Sequence, residues 1–307
     1  MKNTNSIPRY NNKIHKSMGD RIVGIACFVF AAFFALLCII PFLYLLSGSF
    51  TMESQVLRGN IRIYPVGFTT ESYKALFSGN QIYVSYGVSI GVTAMGTLFS
   101  MIFTSFFAYP LSTGRLKYGG KISFYVYFTM IFSGGLVPTY IWYTQGLHMG
   151  NTYAVLIIPS LMIPWNMFLL RNFFAAIPAS LAESARIDGC NEPGILFRII
   201  LPCSKPALAT VGLFYALGYW NEWYRVMLYN SADKSKWTLQ FLIMKMMNEI
   251  ATIKSMAGQG VSVAGITLPT TTMKLATAIC TIGPIVLAYP FAQKYFTSGI
   301  MVGAVKG

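Results

Sequence analysis

Six stretches of this chain run almost without charge for about the length of a bilayer crossing. They cover residues 22–46, 82–109, 122–143, 153–170, 207–224 and 275–290. A helix crosses a hydrocarbon core of roughly 30 Å with about 20 apolar residues, so each is a candidate span. The last is short and interrupted by Gly and Pro. Only 10% of the 307 residues are charged and mean hydropathy is +0.55, where soluble domains carry about 25% charge. A transmembrane β-barrel would alternate polar and apolar residues in segments of about ten. Residues 22–38 do not alternate, so the expected class is an all-α membrane protein with six transmembrane helices.

Charge sets the expected orientation. The formal net charge is +14, from 23 Lys and Arg against 9 Asp and Glu. Lys2, Arg9, Lys13, Lys16 and Arg21 precede the first span, and Arg115, Lys117 and Lys121 lie between the second and third. Arg171, Arg186, Arg198 and Lys205 lie between the fourth and fifth, and Lys294 and Lys306 lie in the tail. The connection around His148 carries no Lys or Arg. The positive-inside rule therefore puts both termini and the segment around Glu183 in the cytoplasm. The charge reads as topology and not as a nucleic-acid footprint. The first apolar run is too long for a signal-peptide core, and its polar lead is too long for an n-region. It is expected to stay as a helix.

Chemistry-bearing patterns are sparse. The five cysteines have no metal or redox spacing, and His15 and His148 lie far apart outside the spans. No span holds paired acids. Residues 114–123 resemble a phosphate-binding loop only loosely, with the lysine one place late. Helix breakers Gly134, Gly135 and Pro138 fall in the third span, and Pro159 and Pro164 in the fourth. Membrane helices tolerate breakers when neighbours or a cavity meet the freed backbone groups. Outside the spans, residues 71–77 form an amphipathic piece. Leu239, Leu242, Ile243, Met246, Met247 and Ile250 recur at helical spacing, as in a helix on the membrane interface or packed on the bundle. A Gly-rich stretch, 257–265, follows as a flexible outer loop.

The polar segment 178–202 is different. Pro178 or Ser180 begins a short helix that ends near Asp188, and Gly189 suits the left-handed position that closes it. Asn191 is a good N-cap, with Glu192 and Pro193 in the turn behind it. This second helix is expected to reach Ile200 and stop at Pro202. Glu183 and Arg186 lie one turn apart. Two short helices about a Gly turn make a rigid polar knob, best explained as a docking surface for an aqueous partner.

The spaced residues Glu183, Ala185, Gly189, Ile199, Leu201 and Pro202 resemble the E-A-A signature of permease subunits of ATP-binding-cassette (ABC) importers, with Ser184 in place of the central Ala. The segment from Ile177 to Gly189, W-N-E-W at Trp220–Trp223 and the tail from Gln293 to Gly307 resemble the carbohydrate-uptake, maltose-type branch. Phe132–Tyr140 and Arg171–Pro178 are similar to permeases for complex oligosaccharides. The resemblance covers most of residues 82–307.

It implies a type I ABC importer permease fold with a cytoplasmic coupling-helix hairpin. By matching position, Glu183, Ser184, Ala185, Arg186, Asp188 and Gly189 would contact the ATPase, and Ile199, Leu201 and Pro202 would fix the exit angle. Tail residues Gly303, Ala304, Val305, Lys306 and Gly307 would reach the ATPase dimer. The implied partners are a second homologous permease, two ATPase subunits that bind ATP and Mg, an extracellular or periplasmic sugar-binding protein and membrane lipid. No cofactor belongs to this chain itself.

The implied location is the bacterial cytoplasmic membrane. Organisation follows as a cytoplasmic segment 1–21, a first helix with outer loop 22–81, a core permease domain 82–298 containing the hairpin 178–202, and a cytoplasmic tail 299–307. Sugars stack on aromatic faces and are oriented by polar groups. Phe132, Ser133 and Tyr140, then Trp165 and Asn166, then Tyr219, Trp220, Asn221 and Glu222 are accordingly the candidate pathway residues. The function expected is import of a sugar, as an oligosaccharide, by a non-catalytic subunit. Import of another small polar solute, an ATP-independent carrier and an intramembrane enzyme remain as alternatives.

Overall fold

The computed structural model describes residues 18–258 and 271–286. The N-terminal basic residues Lys2 to Lys16, the 303–307 tail, most of the Gly-rich stretch and the end of the last expected span lie outside the described residues. Within them the chain is helical. Its β contact there is an isolated antiparallel bridge between Thr51 and Phe68.

Two helices are long and apolar enough to cross a bilayer unaided: α1, Met18–Ser49, and α4, Gln81–Ser112. Side chains of α1 are exposed almost throughout, and burial begins at Ser47, Gly48 and Ser49. Between these helices lie α2, Glu53–Leu57, and α3, Glu71–Ser78, the latter where residues 71–77 read as amphipathic. Leu76 faces inward from α3.

Three bent pairs of shorter helices follow. Helix α5, Gly119–Ile131, meets α6, Leu136–Gly146, at 110°. Gly135 takes φ +93° at this break, and the Pro138 ring clashes with the carbonyl four residues back in a continuous helix. Helix α7, Ala154–Ser160, meets α8, Pro164–Ala175, at 47°, with Pro159 and Pro164 as the breakers. The short α9, Ala179–Ile187, follows. Helix α10, Glu192–Cys203, then meets α11, Lys205–Trp220, at 89°.

Two expectations are corrected there. Pro202 does not stop the hairpin's second helix. Residues Leu196–Ile200 adopt a π turn that absorbs the donor missing at Pro202, and the chain turns instead at Ser204, φ −104°. Pro206 explains the site, because its ring excludes the carbonyl of Pro202 from a continuous helix. The fifth apolar run also ends its helix at Trp220, not at residue 224.

Helix α12, Leu239–Gly258, carries the predicted stripe. Leu239 and Leu242 are buried and Met247 is exposed, so the helix packs on the bundle. Helix α13, Thr271–Val286, is a shorter apolar helix. Its first turn is capped from a distance, because Glu53 accepts the N–H groups of Thr271 and Thr272 at 2.9 and 2.8 Å. Helix α4 is central: α8, α11 and α12 all pack along it. The core includes Val92 and Ala108 of α4, Met167 and Leu170 of α8, and Val211 and Tyr215 of α11.

Candidate functional site

The polar hairpin is built by local turn chemistry. Helix α9 ends in a Schellman motif. The Cys190 N–H reaches the Ala185 carbonyl at 2.9 Å and the Gly189 N–H reaches that of Arg186 at 3.0 Å. Gly189 holds φ +79° with open space where a Cβ would stand. Backbone conformation, not crowding, therefore requires glycine there. Asn191 is the N-cap of α10, accepting the Gly194 N–H at 2.9 Å.

A charged node locks the two short helices to each other and to α4. Arg186 donates from Nε to Glu192 Oε1 at 2.7 Å and from Nη2 to Oε2 at 3.2 Å. The Tyr109 hydroxyl, near the end of α4, donates to Glu192 Oε2 at 2.6 Å. These bonds, the Arg186 one foremost, hold the Glu192 carboxyl below its ordinary pKa, and Glu192 in turn raises that of Arg186. Glu183 does not pair with Arg186. It meets Arg115, in the loop after α4, at 3.3 Å, with both side chains more than half exposed. Such an exposed pair contributes little stability. Arg171 of α8 closes the frame by donating to the Leu111 carbonyl at 3.0 Å, a cation at a helix C-terminus.

The hairpin therefore presents an outward face while its inner face is fixed. Glu183, Ser184, Asp188 and Gly189 are exposed, and among the described residues Ile187 is the most exposed large apolar side chain at 87%. Ala185 is buried and serves packing. Ile199 and Leu201 are partly buried and Pro202 is exposed. The apolar tip at Ile187 was missed in the sequence. Its signal was an isoleucine immediately before the helix-ending Asp188 and Gly189.

The pathway candidates separate into two groups. Phe132, Ser133 and Tyr140 are exposed along the α5–α6 break, with Tyr140 stacked on Tyr229 at 5.5 Å between centroids. Trp165 is exposed, but the adjacent Asn166 is buried. Tyr219 and Trp220 are buried as well, and Trp220 donates to the Thr281 carbonyl at 3.3 Å. Asn221 is exposed and accepts from Gln240 at 3.1 Å. Glu222 pairs with Arg225 at 2.6 Å, and its side chain is only 10% exposed.

A polar network overlooked in the sequence surrounds the α7–α8 break. Tyr219 shares a hydrogen bond with Ser100 at 2.9 Å and donates to the Ile157 carbonyl at 3.0 Å. One turn away, Tyr215 bonds Thr104 at 2.6 Å and accepts the Ile163 N–H at 3.0 Å. Arg225 donates to Ser160 Oγ at 2.5 Å. Backbone groups freed at this break are thus met from α4, α11 and the segment beyond, as a helix interrupted within a membrane requires. Among the described residues no cluster of His, Cys, Asp and Glu could hold a metal.

A helical bundle with a polar, helix–Gly–helix insert is the setting in which the known relatives become informative. The chain is 38% identical over 291 residues to a polygalacturonan/rhamnogalacturonan transport system permease protein, YtcP of Bacillus subtilis. That match spans 94% of this chain and 100% of the relative. It belongs to the permease subunits of carbohydrate ABC transport systems. Protein LplC of the same organism is 37% identical, covering 96% of this chain and 98% of LplC. A solved chain from a bacterial ABC transporter that imports the acidic polysaccharide alginate superposes with a TM-score of 0.77 at 29% identity, covering 92% of this chain and 99% of that one. No family model matches the sequence. Like its relatives, this permease subunit is a non-catalytic, integral membrane component of an importer, and the carbohydrate branch read from the signature is borne out.

Proposed function

We propose that this permease carries an oligosaccharide into the cell through a pathway shared with a second, homologous permease, and that the 178–202 hairpin is the coupling element seated in an ATPase subunit. One observation carries the coupling role: the hairpin's inner face is tied to α4 through Tyr109, Glu192 and Arg186, while Glu183, Ser184, Asp188 and the Ile187 tip face outward. A rigid body with an exposed polar–apolar tip transmits a push better than it stabilises a core.

In this reading α1, α4, the α5–α6 and α7–α8 bent pairs, α11 and α13 make six crossings. Helix α10 belongs to the cytoplasmic hairpin, both termini lie in the cytoplasm, and the domain limits are those given above. ATP and Mg bind two partner ATPase subunits. Nucleotide favours their closed dimer, the hairpins follow, and the pathway changes from inward- to outward-open by differential affinity. The tail Gly303–Gly307 reaches the ATPases, and an external binding protein delivers sugar. Phe132, Ser133, Tyr140 and Trp165, exposed in the single chain, are the pathway residues this geometry favours. Asn166, Tyr219 and Trp220 serve packing, and Glu222 serves the Arg225 pair. The relatives named for rhamnogalacturonan, polygalacturonan and alginate support an acidic, uronate-containing sugar.

The test is uptake of labelled oligogalacturonate against a neutral oligosaccharide in vesicles holding the complete transporter. Gly189→Asp should leave assembly partly intact and abolish uptake. Normal uptake by that variant would remove the lever role, and uptake without the ATPase would indicate a carrier.

A further inference from the structure

A cleft of about 330 Å³ opens between the end of α4 and the start of α10. Phe106, Leu116, Pro193 and Leu196 make most of its wall apolar, the Arg186–Glu192 pair and Tyr109 line its inner side, and Arg115 also lines it. The apolar surface continues outward: Phe103, Phe106 and Phe107 on α4 and Phe197 on α10 are all 45% exposed or more. Directly beyond Arg115 come Lys117, in the loop before α5, and Lys121, in the first turn of α5. Their ammonium groups each lie 5.6 Å from the Tyr118 ring centroid, and neither forms an ion pair among the described residues. Arg115 therefore stands at a mostly apolar slot at the end of α4, and Lys117 and Lys121 follow it within six residues, Lys117 directly after the slot-lining Leu116. Two acids lie near: Glu183, which takes one exposed contact from Arg115, and Glu192, which lines the slot and is paired with Arg186 through both carboxylate oxygens.

We infer that this slot binds an anionic phospholipid of the inner leaflet, one acyl chain lying along Phe106 and Leu196 and the phosphate meeting Arg115, Lys117 and Lys121. The occupant follows from the juxtaposition. Exposed aromatic surface runs into the slot at Phe106, and the slot's polar groups other than Arg115 are Tyr109, Thr113 and the mutually paired Arg186 and Glu192. The cations stand at headgroup level, where anionic lipid attracts each Lys or Arg. A free phosphate would use the cations and leave the apolar walls bare. A bound phosphate would also share Arg115 with Glu183, so the lipid sits against the helix that meets the ATPase. This rests on the cytoplasmic placement proposed above.

The complete transporter, purified into nanodiscs of phosphatidylcholine with and without phosphatidylglycerol, provides the test by native mass spectrometry. Retained phosphatidylglycerol is expected on the wild type, with about a fivefold lower occupancy for each cation removed in Lys117→Gln and Lys121→Gln. Leu116→Trp, which fills the slot without changing charge, should also reduce it. Since that variant could disturb folding, a photo-crosslinking residue at position 116 supplies an independent reading. A lipid adduct supports the site, whereas an adduct with the second permease or an ATPase overturns it. Wild-type lipid retention by the double Lys variant overturns it equally. Sugar uptake in the same nanodisc lipids, as liposomes, reports separately on the transport function.

Discussion

Tyr109 and Glu192 join a membrane-spanning helix to the polar hairpin through one 2.6 Å hydrogen bond. The carboxylate also holds Arg186 from α9, so three elements meet on one side chain. Tyr109→Phe removes the hydroxyl and leaves the Arg186 bidentate pair intact. A hydrogen bond to a charged group contributes about 1.5–3 kcal/mol, less where water screens it as here. The hairpin should loosen without leaving the chain, so uptake falls more than ATP hydrolysis. Sugar moved per ATP hydrolysed, measured in proteoliposomes, checks this.

The depressed Glu192 pKa makes a second prediction. Arg186 first, and Tyr109 after it, favour the ionised carboxylate in the folded protein. The unfolded chain then binds the proton more readily, and the stabilisation is fully present above the ordinary glutamate pKa. It is lost as pH falls through the lower, folded value. Glu192→Gln should flatten that acid limb in thermal melts of the solubilised complex. An unchanged pH dependence would show that the node is not formed.

Turn chemistry made the hairpin readable from sequence, because Gly189 and Asn191 act within four residues of themselves. The partner of Arg186 was not readable. Glu183 at one turn's spacing and Glu192 across the Gly turn are both within reach, and the contact with Tyr109 of α4 favours the second. The bent helix pairs were foreshadowed by Gly135, Pro159 and Pro164, but bend angles depend on what the neighbours offer. Tyr215 and Tyr219 look like ordinary interfacial aromatics within an apolar run. A usable signal existed in Ser100 and Thr104, hydroxyls one turn apart on α4, matching the two tyrosines one turn apart on α11.

Gly96 and Gly91 of α4 give a matched pair of substitutions. A Cβ on Gly96 would lie 2.7 Å from the Tyr219 ring, whereas one on Gly91 meets nothing within 4 Å. Gly96→Ala should therefore cost roughly 1–3 kcal/mol through overpacking. Gly91→Ala should be neutral or slightly stabilising in an isolated-chain melt, since Ala suits a helix better. Comparing the two melting curves in detergent separates close packing from helix propensity.

Tyr219→Phe and Tyr215→Phe test whether the α7–α8 break is held from α11. Each change keeps the ring and removes one hydroxyl. Tyr219→Phe deprives Ser100 and the Ile157 carbonyl of a partner, and Tyr215→Phe does the same to Thr104 and the Ile163 N–H. Leaving a buried polar group unsatisfied costs about 1–3 kcal/mol. The two hydroxyls support opposite sides of one kink, so their losses should couple. The double variant should lose less than the sum of the singles, because once one side relaxes the other no longer holds a fixed geometry. A double-mutant cycle on the thermal stability of the solubilised complex measures the coupling, and strict additivity would mean that the break does not depend on the pair acting together.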